Sequence, residues 1–183
     1  MKMKFKKTVT LKDGRECVLR NGDEADGKAA AEIFNLTHEE TDFLLTYPDE
    51  TTLDADGEGK FLKEKTQSED EIEILAVVDG KVVGTGGIES VGKKFKLCHR
   101  AEFGVSIAKE YWGLGIGSQL TKACIECAKE AGYVQLELNV VGENERAVAM
   151  YKKLGFVEYG RNPKGFKKRP SGFQELVYMR LEL

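Results

Sequence analysis

Gly104-Val-Ser-Ile-Ala-Lys-Glu-Tyr-Trp-Gly-Leu-Gly-Ile-Gly-Ser118 reads as an apolar strand running through three alternating glycines straight into a helix. Gly113, Gly115 and Gly117 remove side chains where the backbone must turn sharply and face something large. A helix beginning near Ser118 leaves its first N–H groups without intrahelical partners and carries the positive end of its macrodipole there. A bare loop feeding a helix N-terminus is an anion cradle. A plain strand-to-helix turn accounts for one or two of these glycines. Three within five residues point to a pyrophosphate.

Two nucleotide fingerprints fail on this chain. The dinucleotide pattern G-x-G-x-x-G breaks because the third glycine falls at 117 and position 118 is Ser, and no early strand builds the first βαβ unit. Gly87-Ile-Glu-Ser-Val-Gly-Lys-Lys94 comes close to a P-loop, but Lys94 sits where Ser or Thr must ligate magnesium. It joins two strand-like runs with no helix following, so it reads as a hairpin loop.

Coenzyme A is the third pyrophosphate to weigh. Trp112-Gly-Leu-Gly-Ile-Gly117 resembles the R/Q-x-x-G-x-G/A signature of the GNAT N-acetyltransferase superfamily. About thirty residues on, Asn144-Glu-Arg-Ala-Val-Ala-Met-Tyr-Lys-Lys-Leu-Gly-Phe156 resembles the same family's N-x-x-A-x-x-x-Y-x-x-x-G-F segment. The resemblance implies an α+β fold, a mixed and mostly antiparallel sheet flanked by helices. It implies one N-acetyltransferase domain over 1–183, with residues 1–70 as the variable acceptor-site region and 71–183 as the acetyl-CoA-binding core. It also implies roles for particular residues. Trp112, Gly113, Leu114, Gly115, Ile116, Gly117 and Ser118 would hold the pyrophosphate through main chain. Val105, Ser106 and Ile107 would lie on a strand splayed from its neighbour and offer free backbone groups to the acetyl and pantetheine parts. Asn144 would meet the pantetheine arm, and Tyr151 would face the coenzyme sulfur. The departure is Trp112: the family's Arg or Gln is gone, and with it a side-chain bond to phosphate.

Composition narrows the class further. At 183 residues the chain suits one domain, large enough to bury about 70% of its unfolded surface. A net charge of −3 and a pI near 5.6 argue against non-specific nucleic-acid binding. No apolar run approaches the ~20 residues of a membrane span. Met1–Lys7 is basic, but no apolar stretch follows it, so it does not read as a secretory signal and a cytoplasmic protein is expected. Of the four cysteines, Cys124 and Cys127 form a C-x-x-C inside a helical stripe with Leu120, Ala123, Ala128 and Ala131. They read as buried small hydrophobes. Zinc would need two more ligands at matching spacing, and Cys98-His99 supplies no such pair, so no metal is expected. Cys17 stands alone, and no disulfide framework is implied.

The pattern along the chain gives a coarse layout. Thr8–Leu11 and Glu16–Arg20 flank a Lys12-Asp-Gly14 hairpin signal, and Asp23 caps a helix through about Leu36. Residues 37–66 read as short helices with loops. Glu71–Val78 and Lys81–Ile88 form a hairpin across Asp79-Gly80. Leu97–Ala108 is a strand, the helix after the loop runs to about Ala131, and Val134–Val140 alternates like a strand. Asn144 starts a helix that Gly155 closes, and Phe156–Arg161 pairs with Phe173–Leu183.

Acetyl transfer to an amine poses two electrical problems. A lysine-like amine with pKa near 10.4 must lose a proton, costing about 4.6 kcal/mol at pH 7. The tetrahedral intermediate then needs oxyanion stabilisation and a proton for the departing thiolate. The resemblance makes Tyr151 the candidate acid, and a phenol suits the role because it is neutral and protonated at working pH; Ala147, Val148, Tyr151 and Leu154 also make a packed helix face. For the base, Glu102 on the strand entering the loop, Glu137 on the next strand, or a water relay to either stay open. Asn144 is both a pantetheine candidate and a good helix N-cap. His38 and His99 have no motif context, and no Ser-His-Asp or Cys-His-Asp arrangement suggests a covalent intermediate.

Acceptor recognition has two charge features behind it. Residues 39–73 hold thirteen Asp or Glu against three Lys, a local charge of −10. This reads either as an acidic wall drawing a cationic amine or as solvated surface. Arg161, Lys164, Lys167, Lys168 and Arg169 would meet the coenzyme 3′-phosphate or form a charged turn. The expected activity is direct acetyl transfer from acetyl-CoA to a primary amine of a small molecule or peptide in a ternary complex, with a homodimer left open. The alternative is a non-catalytic acyl-CoA sensor.

Overall fold

The computed structural model describes residues 2–183; Met1, at the head of the basic Met1–Lys7 run, lies outside the described residues. Eight strands make one sheet, β1 (Lys6–Thr10), β2 (Glu16–Asn21), β3 (Ile72–Val78), β4 (Lys81–Ser90), β5 (Arg100–Ile107), β6 (Gln135–Val141), β7 (Val157–Lys167) and β8 (Phe173–Glu182). Their spatial order is β1-β2-β3-β4-β5-β6-β8-β7, and every neighbouring pair is antiparallel except β5 and β6. Four helices flank it, α1 (Gly27–Glu40), α2 (Ala55–Gln67), α3 (Ile116–Glu130) and α4 (Glu145–Lys153). This is the α+β class that the motifs imply. Among the described residues, no helix is long and apolar enough to cross a membrane.

Period-two burial assigns the two sheet faces. Ile72, Ile74, Ala76 and Val78 of β3 join Phe103, Leu136, Leu138 and Met179 in the main core, where α3 adds Leu120, Cys124 and Cys127. α3 lies against Gly86, where a Cβ would make ordinary contact with Leu120 and Cys124. Leu75 faces the other way and packs with Ala30 of α1 and Leu62 of α2. Cys124 and Cys127 are therefore buried thiols, and burial pushes the Cys127 thiol up to about 12. Burial likewise raises Cys124 well above its ordinary value.

The turn chemistry sits where the pattern places it, with some boundaries moved. Asp79 (φ 49°) and Gly80 (φ 76°) both take the left-handed backbone that a two-residue hairpin loop requires. Asp23 caps a short 3₁₀ turn, Glu24–Asp26, rather than α1 itself: its carboxylate accepts from Ala25 N at 2.9 Å, and Asp26 answers from Asp23 N at 3.0 Å. α1 then runs to Glu40, beyond the expected Leu36. Residues 55–67, expected as short pieces, form a 13-residue helix capped by Asp54. β5 begins at Arg100 instead of Leu97, because residues 94–99 turn back on themselves through Leu97 N and Cys98 N bonding Lys94 O.

Candidate active site

The site begins where the two parallel strands part. β5 pairs with β6 only from Arg100–Gln135 to Glu102–Glu137, yet β5 continues to Ile107 and β6 to Val141. The β6-facing edge of Phe103–Ile107 thus carries no ladder partner, and these backbone groups need partners of another kind. A cavity of about 980 Å³ opens here, near the upper end of the size range of small-molecule sites. Val105, Ser106, Ile107, the loop from Tyr111 to Gln119, and Asn144, Arg146, Met150 and Tyr151 line it.

The glycine loop reaches it in a specific conformation. Gly113 (φ 86°) and Gly115 (φ 97°) are left-handed, where a side chain would be strained. α3 starts at Ile116, two residues earlier than expected, with Gly115 as its N-cap and no side-chain cap. Its first N–H groups are therefore open to the cavity. Gly117 lines the cavity and is closely packed as well. A Cβ there would approach Ile107 Cδ1 at 3.2 Å and Met150 Sδ at 3.4 Å, so this glycine lets α3 fit between β5 and α4. Trp112 turns its indole N–H back onto Ile107 O at 2.7 Å. The family position occupied by Arg or Gln is here an anchor for the loop.

α4 explains its motif in structural terms. Asn144 caps it, accepting from Ala147 N at 3.3 Å while also lining the cavity. At the other end Phe156 N bonds Tyr151 O (3.0 Å) and Gly155 N bonds Lys152 O (3.1 Å), with Gly155 at φ 96°. That pair of bonds is a Schellman closure, and the Phe156–Tyr151 ring contact at 5.7 Å is the apolar contact that accompanies it. Gly155 and Phe156 thus clamp Tyr151. Its ring also packs edge-on against Phe103 at 5.8 Å, and only 6% of the residue is exposed. Burial pushes the phenol pKa up, and no described protein group hydrogen-bonds the hydroxyl.

The carboxylate candidates lie apart from the cavity wall. Glu89, Glu102 and Glu137 stand in register across β4, β5 and β6. Lys65 holds Glu89 at 2.7 Å. Arg100 grips Glu137 with both nitrogens of one edge, at 2.8 Å for Nη2, and this bond holds the Glu137 carboxyl below its ordinary range. Glu137 is thereby committed to an ion pair. Glu102 is exposed and, among the described residues, has no side-chain partner. It shares a face of β5 with Ser106, which does line the cavity.

Neither charge feature of the sequence lines the cavity. Arg169 pairs with Asp49 (2.6 Å) and Glu50 (3.5 Å), lies over the Tyr47 ring, and donates its backbone N–H to Tyr47 Oη. Glu40 accepts from Lys109 N, and Lys93 bonds Asp70 and Glu71. From residues 39–73 only the uncharged Thr41, Phe43 and Leu44 reach the cavity, and none of the cluster from Arg161 to Arg169 does. The acidic segment and the basic turn fasten to each other, tying the α1–α2 connection to the β7–β8 hairpin. The cations that do line the cavity are Lys12, Arg146 and Lys153. Arg146 and Lys153 both stand at unspecified positions inside the Asn144–Phe156 motif, and Lys12 lies in the first hairpin turn with no binding signal of its own.

Comparisons with known proteins agree on one family. The model of the acetyltransferase (GNAT) family matches residues 31–156. N-alpha-acetyltransferase 30 of Schizosaccharomyces pombe is 32% identical over 74 residues, covering 40% of this chain and 49% of that protein. The L-amino acid N-acetyltransferase AaaT of Escherichia coli is 31% identical over 108 residues, 58% of this chain and 65% of its own length. These matches thus span half to just under two thirds of the curated relatives. The crystal structure of a GNAT-family acetyltransferase from Streptococcus pneumoniae superposes with a TM-score of 0.87 at 28% identity, over 91% of this chain and 99% of that one.

Proposed function

This chain belongs to the acetyltransferase (GNAT) family, and from that premise we propose that it is an N-acetyltransferase that moves an acetyl group from acetyl-CoA to a primary amine. The observation that carries the reading is Tyr151, a buried phenol with no hydrogen-bond partner among the described residues, on the wall of the cleft where β5 leaves β6. A phenol is protonated at working pH and so has a proton to give. A passive sensor of acyl-CoA would need the cradle but not that hydroxyl.

The geometry supports the following roles. The open N–H groups of Gly115–Ser118 hold the pyrophosphate. The unpaired edge of Phe103–Ile107 bonds the pantetheine arm and the thioester oxygen, which becomes the oxyanion. The amine nitrogen attacks the acetyl carbonyl carbon; the intermediate collapses by breaking the C–S bond, and Tyr151 gives its proton to the thiolate as it leaves. The ammonium proton goes to Glu102 through water. Glu102 and Ser106 are four residues apart on one strand, about 13 Å, so direct transfer is out of reach. Both substrates share one cavity, and transfer is direct.

Thr37, Thr41, Phe43 and Leu44 supply the acceptor-side wall, and all four are uncharged. We therefore assign an acceptor whose body is compact and neutral rather than polycationic, in the cytoplasm where acetyl-CoA is made available. Thiol release from acetyl-CoA, followed with DTNB over amino acids, peptide N-termini, lysine-type amines and polyamines, tests the reading. Cys98, the exposed cysteine, is replaced by Ser to remove background. Amine-dependent release supports transfer. Tight acetyl-CoA binding with no release for any amine would support the sensor instead.

A further inference from the structure

We propose that Arg146 is the side chain that recognises the coenzyme pyrophosphate in this protein, a task that Trp112 cannot perform from the loop. The inference rests on the acetyl-CoA reading above. Three observations support it.

First, the loop cannot supply a side-chain ligand at 112, since the Trp112 indole is bonded to Ile107 O. Second, Gly113 leaves the room that Arg146 fills. A Cβ at 113 would lie 3.2 Å from Arg146 Nη2, so the guanidinium lies directly beside the bare loop. Third, Arg146 has no partner among the described residues. Each of the other six arginines pairs with a carboxylate, whereas no described acid meets this one.

Its position also runs against helix energetics. Arg146 is in the first turn of α4, where the macrodipole disfavours a cation. It is exposed and stabilises nothing visible in the fold. An unpaired arginine at an unfavourable helix end, beside the glycine loop and on the same cavity wall as an open helix start, is explained by an anion held between them. Guanidinium is the suitable head, because it stays charged and matches two phosphate oxygens at once.

The test is calorimetric. Acetyl-CoA, acetyl-dephospho-CoA and acetyl-pantetheine are titrated into wild type, Arg146→Gln and Arg146→Lys, with thermal melts to confirm folding. Arg146→Gln should weaken both pyrophosphate ligands alike, by roughly 10–100-fold, as for loss of a charge-assisted bond. Binding of acetyl-pantetheine, which lacks phosphates, should not change, and Arg146→Lys should recover only part of the loss. Unchanged affinity for acetyl-CoA in a folded Arg146→Gln protein overturns the assignment. So does a loss confined to the ligand carrying the 3′-phosphate. Failure of the wild type to bind acetyl-CoA would instead remove the functional reading beneath it.

Discussion

Replacing Glu73 by Gln should make the protein more stable at pH 8 and leave it unchanged near pH 4.5. Glu73 lies on β3 opposite Gly87, and its carboxylate lies across that glycine, where a Cβ would collide with it. Burial pushes its pKa from 4.5 to about 7; a Thr85 bond opposes the shift, and the nearby Glu58 and Glu89 add to it. A pKa raised on folding means the native state binds the extra proton. Stability is then fully present below about 4.5 and is lost as pH rises through about 7. At 1.36 kcal/mol per unit, the fully ionised group costs about 3 kcal/mol. Gln keeps the shape and the hydrogen-bonding capacity but cannot ionise. The assay is urea unfolding of both proteins from pH 4.5 to 8.5, reading only the difference in free energy. Carboxylates such as Asp26 and Glu137, lowered by their arginines, slope the other way and cancel in that difference. A gap that opens between pH 5 and 8 and then levels is expected. A constant gap, or one that widens toward acid, would refute the burial argument.

Three further outcomes are expected. Gly115→Ala places a Cβ in open space but on a left-handed backbone, so it should cost roughly 1–2 kcal/mol in urea unfolding. In native buffer DTNB should titrate one thiol, Cys98, and in denaturant all four, because Cys17, Cys124 and Cys127 are buried. Arg169→Ala should move the melting temperature little, its ion pairs being exposed, but raise the acceptor KM by freeing the 41–50 segment that walls the cavity.

What was legible in the sequence was whatever a local backbone rule dictates. Asp79-Gly80 announces its hairpin because only such residues take two positive φ values in succession. Asn144, Gly155 and Phe156 announce α4 because cap and Schellman closure are short-range bonds. α2 was hidden for the opposite reason. Gly57 and Gly59 weaken its intrinsic helicity, and it is held by tertiary fit: Leu62 is fully buried beside Ala30 and Leu75, and a Cβ at Gly59 would strike Glu24 O. The pairing of Asp49 with Arg169 joins residues 120 apart, which no window of sequence contains. The close packing at Gly117 belongs to the same class, since Met150 comes to it from α4. The ion pair that sets Glu137 apart from Glu102 comes from Arg100, 37 residues away, beyond any local pattern.

The claim that the cleft transfers acetyl groups with Tyr151 as acid is tested most directly by Tyr151→Phe. The ring, packed against Phe103 and Phe156, is kept, and only the unbonded hydroxyl is removed. Turnover with the best acceptor and acetyl-CoA affinity by calorimetry are measured on the same preparation. The predicted result is a fall in turnover of roughly 10²-fold or more, with affinity and melting temperature little changed. Wild-type turnover in the folded variant would contradict it and return Tyr151 to the core.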